Sequence, residues 1–300
     1  MKSSYNKTPL EIIKGKNREI AVFSTEGKNI DQIVVEDFGE EWLKFQDFTD
    51  DTIEKFVKEY FEILDDTIVN NDTYAIDIGC GTGRWTKYLS TRAGFIEAID
   101  PSNALLAADN LLGSIENVRL TKASVETIPF NDETFDFAMS VGVLHHIPDT
   151  QQAMIDCVKK VKRGGYFYCY LYYNLDNRGF AFKVLFKITD VIRKIVSNLP
   201  AGIKRVVCDI LAAVIYLPMV LLVRLVDFIG FKKLAKKLPL SPYKNKNFFV
   251  LRNDALDRFG TRLEQRFSKQ EVIEMMQKSG LQNIVVGKAA PFYRAVGEKI

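Results

Sequence analysis

The chain is short of histidine, cysteine and tryptophan, and each shortage closes off some chemistry. Its 300 residues include 2 His, 4 Cys and 2 Trp. Cys80, Cys157, Cys169 and Cys208 show no paired spacing, so neither a disulfide framework nor a zinc site is expected. The two histidines, His145 and His146, are adjacent, and no metal cluster, nucleophile elbow or carboxylate pair is recognisable. Met1-Lys2-Ser3-Ser4-Tyr5-Asn6-Lys7 has no apolar core behind it, which argues against a secretory leader and for a cytoplasmic location. The uncharged run from Ile210 to Val223 has 14 residues and is interrupted by Pro218. A spanning helix needs about 20, so no transmembrane segment is expected. Acid is scarce in one region. Residues 178–246 hold Asp190, Asp209 and Asp227 against 14 Lys or Arg, a net +11 in a chain of net +3.

What is present begins with 47% apolar residues, enough for a full core. Tyr74-Ala75-Ile76-Asp77-Ile78 is an apolar run ending near an acid, and Gly79, Gly81 and Gly83 follow before a helical pattern starts at Arg84. A strand, a Gly-rich turn and a helix in this order let backbone approach a nucleotide-like ligand. A dinucleotide fingerprint would need G-x-G-x-x-G, and Arg84 stands in place of its third glycine. A second apolar run, Phe95-Ile96-Glu97-Ala98-Ile99, ends in Asp100, an acid placed to accept both hydroxyls of a ribose.

These residues resemble the class I S-adenosylmethionine-dependent methyltransferases, most closely the type 11 branch that includes quinone-biosynthesis C-methyltransferases. The resemblance continues through Ala123–Phe130, through Phe135–Ser140 and the following Val141–Asp149, and through Val161-Lys162-Arg163-Gly164-Gly165, where the family's usual proline is Arg163. It implies a doubly wound, Rossmann-like α/β fold with a seven-stranded sheet, mostly parallel with the last strand antiparallel. S-adenosylmethionine is the implied cofactor. Gly79, Gly81 and Gly83 would pass beneath its methionine and ribose, Asp77 would lie near its amino group and Asp100 would hold the ribose. Ser124 and Val125 would flank the adenine, although the family often has an acid where Ser124 stands, and Arg84 and Ser140 complete the implied set.

Element by element, residues 74–173 alternate strand and helix, as a parallel sheet with right-handed crossovers requires. Asp149 can cap a helix whose inward positions are Ala153, Met154, Cys157, Val158 and Val161. Ser268 and Glu271 form a capping box ahead of Val272, Ile273, Met275 and Met276, with Gly280 at the stop. Leu281–Val286 and Pro291–Val296 then suit a closing hairpin. Near the start, weak alternation in Ile20–Phe23 and Ile30–Val35 suggests short strands or a loose arm. Residues 50–66 carry helical spacing, and Phe38 to Trp42 provide an aromatic segment suited either to closing over a cofactor or to pinning the arm to the core.

The expected organisation is an N-terminal arm and helix over residues 1–70, a cofactor-binding core over 71–177 and 248–300, and a basic helical insertion over 178–247. In the insertion's first helix, Val184, Leu185, Ile188, Val191, Ile192, Ile195, Val196 and Leu199 share one face, with Lys183, Lys187, Arg193 and Lys194 on the other. Lys232, Lys233, Lys236 and Lys237 follow later among Phe231, Leu234 and Leu238. Two readings stand: a specificity lid that buries its own apolar faces, or a surface resting on an anionic membrane. Nucleic acid is not an expected partner, since the basic residues are interleaved with long aliphatics and no recognition module is visible.

The expected activity is methyl transfer to a small or lipid- or sugar-linked acceptor, on oxygen or carbon rather than nitrogen. The chain as a whole looks similar to bacterial methyltransferases found with surface-glycan synthesis. A nicotinamide-dependent oxidoreductase and a cofactor-binding, non-catalytic regulator or scaffold are the alternatives. Where a base is needed, His145 and His146 are the candidates by pKa and by position after the fourth core strand. Tyr173 and its neighbour Tyr172 come next.

Overall fold

In the computed structural model, residues 3–44, 57, 60–174, 179–287 and 292–300 are described. The chain divides into two compact units, Met1–Asp176 with Leu263–Ile300, and Asn177–Arg262.

The first unit is built on one sheet. Its strands are β1 (Glu11–Lys14), β2 (Glu19–Val22), β3 (Tyr74–Ile78), β4 (Phe95–Asp100), β5 (Val118–Lys122), β6 (Phe135–Val141), β7 (Val161–Tyr172), β8 (Leu281–Val286) and β9 (Phe292–Lys299). Their spatial order is β1-β2-β5-β4-β3-β6-β7-β9-β8. The five from β5 to β7 are parallel, and β9 runs antiparallel to both β7 and β8. The order reverses at β3, so the crevice beyond the carboxyl ends of β3 and β6 is where such a sheet binds ligands.

The sheet has nine strands where seven were expected. The extra two come from the N-terminal segment: Ile20, Ala21 and Val22 are buried, β2 adds in parallel to the β5 edge, and β1 closes against β2. Ile30–Val35, expected as a short strand or part of a loose arm, instead opens a helix, Gln32–Lys44. The Asp31 carboxylate accepts hydrogen bonds from the Ile33 and Val34 amides at 3.1 and 3.3 Å, filling amides that a helix start leaves unpaired. The helix expected over 50–66 lies mostly outside the described residues; at its end Phe61 and Leu64 are buried in the core.

Apolar residues on the two sheet faces form two separate clusters. Alternation along β7 sorts them: Tyr168 and Tyr170 go to one cluster, Phe167, Cys169 and Leu171 to the other. The cap signals hold as expected. Asp149 accepts from the Gln152 amide at 2.9 Å, and Ser268 and Glu271 exchange bonds of 3.1 and 2.6 Å. Glu97, fully buried in β4, is matched by the Arg119 guanidinium at 2.6 and 2.7 Å and by the Tyr74 hydroxyl at 2.6 Å.

Among the described residues, the second unit is all helical. Phe180–Val196 is followed by a continuous helix through Gly202–Phe228 and by the helix Phe248–Gly260. Its core contains Val196, Cys208, Tyr216 and Val220 packed with Leu251, Ala255 and Phe259. The Phe248–Gly260 helix therefore belongs to this unit, beyond the boundary expected at 247. Pro218 does not break the long helix. A turn of π-helix at Ala212–Tyr216 immediately precedes it, and Pro218 falls at the start of the next α-helical segment. The wider turn accommodates a residue that lacks an N–H and crowds the turn behind it. The resulting helix of 27 residues is long and apolar enough to cross a membrane by length and composition, contrary to the sequence expectation.

Candidate active site

The glycine turn is fixed first by its own backbone. Gly79 and Cys80 donate their amides to the Ile99 carbonyl at 2.8 and 2.9 Å, tying the turn to the end of β4. Gly79 and Gly83 have φ of 80° and 78°. A Cβ on Gly79 would lie 2.4 Å from Val143 Cγ2, and one on Gly83 would lie 2.7 Å from Leu112 Cδ1, so glycine is required twice over. The Ser140 hydroxyl, buried on β6, donates to the Ile78 carbonyl at 3.0 Å and holds the same turn from the other side.

Two acids shape this turn. Asp100 ends β4; one oxygen accepts the Gly81 amide at 2.9 Å, the other the Ser102 amide and hydroxyl at 2.8 and 2.6 Å. The oxygen that accepts the Gly81 amide can take one further bond, whereas the one facing Ser102 is filled, so the anchor is oriented and retains capacity on one side. Asp77 is buried, and its carboxylate accepts from the Thr86 hydroxyl at 2.6 Å. Burial, with a smaller push from Asp100, raises its pKa to about 7. Asp77 thus ties β3 to the Arg84–Ser90 helix.

The aromatic segment lies across the turn. On the Gln32–Lys44 helix, Phe38 and Trp42 are one turn apart and share a face. The Phe38 ring is 4.8 Å from His146, and the Arg84 guanidinium lies between the indoles of Trp42 and Trp85 at 5.0 and 4.9 Å. A Cβ on Gly81 would meet only the Trp42 indole, near 3.9 Å. Arg84 therefore fastens this helix over the glycine turn. On the adenine side, Ser124 is committed locally: it caps the short turn Val125–Thr127, with its hydroxyl 3.0 Å from that of Thr127. Val125 is half-buried beside it.

His145 and His146 have different roles. His146 Nδ1 is 2.7 Å from the Leu263 carbonyl, which holds its ring. His145 is fully buried, its ring 4.0 Å from Tyr172 and 4.2 Å from His146. Neither His145 nitrogen has a hydrogen-bond partner among the described residues. Burial first, then His146 and Arg266, hold its pKa well below the usual 6.5, so the ring is neutral. A buried, neutral imidazole with unfilled nitrogens is suited to hydrogen bonding a ligand.

Tyr172 and Tyr173 are separated by the pleat. Tyr172 shares the face of His145, whereas Tyr173 pairs with Phe267 and has Tyr293 at 6.2 Å on the opposite face. The structure corrects the expectation here: Tyr172, not Tyr173, lies beside the histidines. The missed residues are Tyr60, Trp85 and Tyr170. Tyr60 stacks on Trp85 at 4.5 Å and on Tyr170 at 5.1 Å, extending the aromatic wall that ends in Tyr172. The alternation Tyr166, Tyr168, Tyr170, Tyr172 carries this signal in the sequence. A left-handed glycine turn, an oriented acid beyond β4 and the unfilled nitrogens of His145 fit a nucleoside-bearing cofactor with a reacting group near an aromatic wall.

Comparison with known proteins agrees with this geometry. The family described as "Methyltransferase domain" matches residues 76–169. Demethylmenaquinone methyltransferase of Staphylococcus aureus is 33% identical over 111 residues, covering 36% of this chain and 46% of that protein, so the match spans about half the length of the relative. Among solved structures, a chain from the complex of a Haloferax volcanii methyltransferase activator with a methyltransferase has a TM-score of 0.52 at 13% identity, covering 88% of this chain and 96% of that one. Human N-acetylserotonin methyltransferase has a TM-score of 0.49 at 12% identity, covering 87% and 56%. Residues 76–169 belong to the class I S-adenosylmethionine-dependent methyltransferases.

Proposed function

We propose that this chain transfers a methyl group from S-adenosylmethionine to a small molecule, on oxygen or carbon, and that the acceptor is lipid- or sugar-linked. The observation that carries the reading is the glycine turn whose shape is set by Asp100, beside an aromatic wall ending in His145. When bound, the cofactor supplies a methyl on a sulfonium that is already activated. The chain's own task is then to align the acceptor and exclude water. Gly79, Gly81, Gly83 and Asp100 would hold the nucleoside, with Asp77 and Ser140 keeping the turn in shape. Tyr60, Tyr170 and Tyr172 would seat an apolar or ring-bearing acceptor, and the name of the Staphylococcus aureus relative suits such a group. His145, neutral, would hydrogen-bond the acceptor rather than take its proton.

Calorimetry tests the cofactor reading. A carboxylate that accepts ribose hydroxyls makes charge-assisted bonds of about 1.5–3 kcal/mol, so Asp100→Ala should weaken S-adenosylmethionine binding by about tenfold to a hundredfold. Preferential binding of NADH by the wild type would remove the reading. With binding established, a 14 Da gain in lipid or sugar-nucleotide extracts identifies the acceptor.

A further inference from the structure

The Asn177–Arg262 unit shows an unusual distribution of apolar side chains. Along the 27-residue helix, Ile203, Ile210, Val214, Leu221, Leu225 and Phe228 are all exposed. Their spacing of three, four and seven residues places them on one stripe. The helix Phe180–Val196 repeats the pattern with Val184, Ile188, Val191 and Ile195 exposed, while Arg193 on its other side is buried. Only 28% of the long helix's most apolar window is buried. Exposed apolar surface of this extent marks an interaction site.

The charges say what covers it. Lys232, Lys233, Lys236 and Lys237 are exposed directly after Phe228 and Ile229 and alternate with the exposed Phe231 and Leu234. Aliphatic and aromatic side chains flanked by lysines match a bilayer's acyl region beneath anionic headgroups. Length alone would allow the helix to span, since 27 residues reach about 40 Å at 1.5 Å each. Its other face forbids that. Cys208, Ala212, Tyr216 and Val220 are buried against the Phe248–Gly260 helix, which carries Arg252, Asp254, Asp257 and Arg258, and Arg252 pairs with Asp209 at 2.6 and 2.7 Å. Crossing the bilayer would draw these charges into hydrocarbon.

We propose that the Asn177–Arg262 unit is a monotopic membrane anchor: the apolar stripe lies in the plane of one leaflet, sunk into the acyl boundary, with the Lys232–Lys237 cluster at the headgroups. The anchoring stands independently of methyl transfer; joined to it, the anchor accounts for a lipid-linked acceptor.

The test is flotation of the full chain with phosphatidylcholine vesicles, with and without phosphatidylglycerol. A sunken stripe holds at high salt, whereas charge contact alone is screened. The protein should float with both vesicles, more with the anionic ones, and stay bound at high salt. Replacing Ile210, Val214 and Leu221 with Glu should lower partitioning by on the order of a hundredfold. Circular dichroism and calorimetric cofactor binding should be unchanged, which separates loss of anchoring from unfolding and from failure of the cofactor reading. Replacing the four lysines with Gln should remove only the preference for anionic vesicles. Complete release by salt would overturn the proposal, as would flotation of the Glu variant. So would a stable dimer, dissociated by the same Glu substitutions, that ignores vesicles.

Discussion

Changing Asp77 to Asn should alter how stability depends on pH. The carboxyl is buried, and its folded pKa is about 7 against 3.8 in an exposed reference. Between those values the folded state keeps a proton that the unfolded state has lost. Stability from this group therefore falls as pH rises through the window and is flat above it. Three pKa units at 1.36 kcal/mol each give up to about 4 kcal/mol. Asn keeps an oxygen for the Thr86 hydroxyl but cannot ionise, so it escapes the penalty. Urea unfolding of both proteins from mildly acid to mildly alkaline pH should show the variant gaining on the wild type by up to about 4 kcal/mol, and then holding that lead. Groups unchanged by the substitution cancel in the difference. Parallel curves across the range would show that Asp77 ionises normally, and the account of its burial would fail. A cationic cofactor bound near this carboxyl would favour the ionised form, and proton release on binding near neutral pH, detectable by calorimetry in buffers of different ionisation enthalpy, would test that placement.

Gly83→Ala should cost about 2–4 kcal/mol in chemical denaturation, combining the left-handed backbone with the contact on Leu112. His145→Gln should lower kcat, leave cofactor affinity intact and remove no ionisation from the pH–rate profile near neutrality, because the ring is already neutral there. Disappearance of such an ionisation would make His145 a base after all.

The parallel core was legible because its signals are local. An apolar run, a glycine turn and a capping acid each specify their own geometry, as at Asp77–Arg84, Asp149 and Ser268. The first two strands were less so, because the short β1–β2 hairpin joins the sheet by adding β2 to β5, about a hundred residues away. The Gln32–Lys44 helix was misjudged because its start depends on one side chain, Asp31, which a short window of alternation outweighs. Pro218 misled for a related reason: the π-turn that accommodates it is a backbone adjustment without a composition of its own. At the site, residue types predicted the turn but not the sharing of bonds. Ser124 and Arg84 read as ligand contacts, yet one caps a turn and the other sits between two indoles. The choice between Tyr172 and Tyr173 was decided by the pleat, which was available from counting along β7.

The two rims of the sheet bear on how copies of this chain can meet. One rim is β1, four residues long, with Glu11 and Lys14 at its ends. The other is β8, where Asn283 takes a φ of 50° and the register with β9 shifts between Gln282 and Val285. A short charged strand and an irregular one are both poor templates for a further strand. Chain-to-chain growth through backbone pairing is thus discouraged at both ends, which directs any self-association of a crowded sample toward the exposed helices of Asn177–Arg262. Detergent, rather than salt or mild denaturant, should then be the additive that keeps the purified protein dispersed.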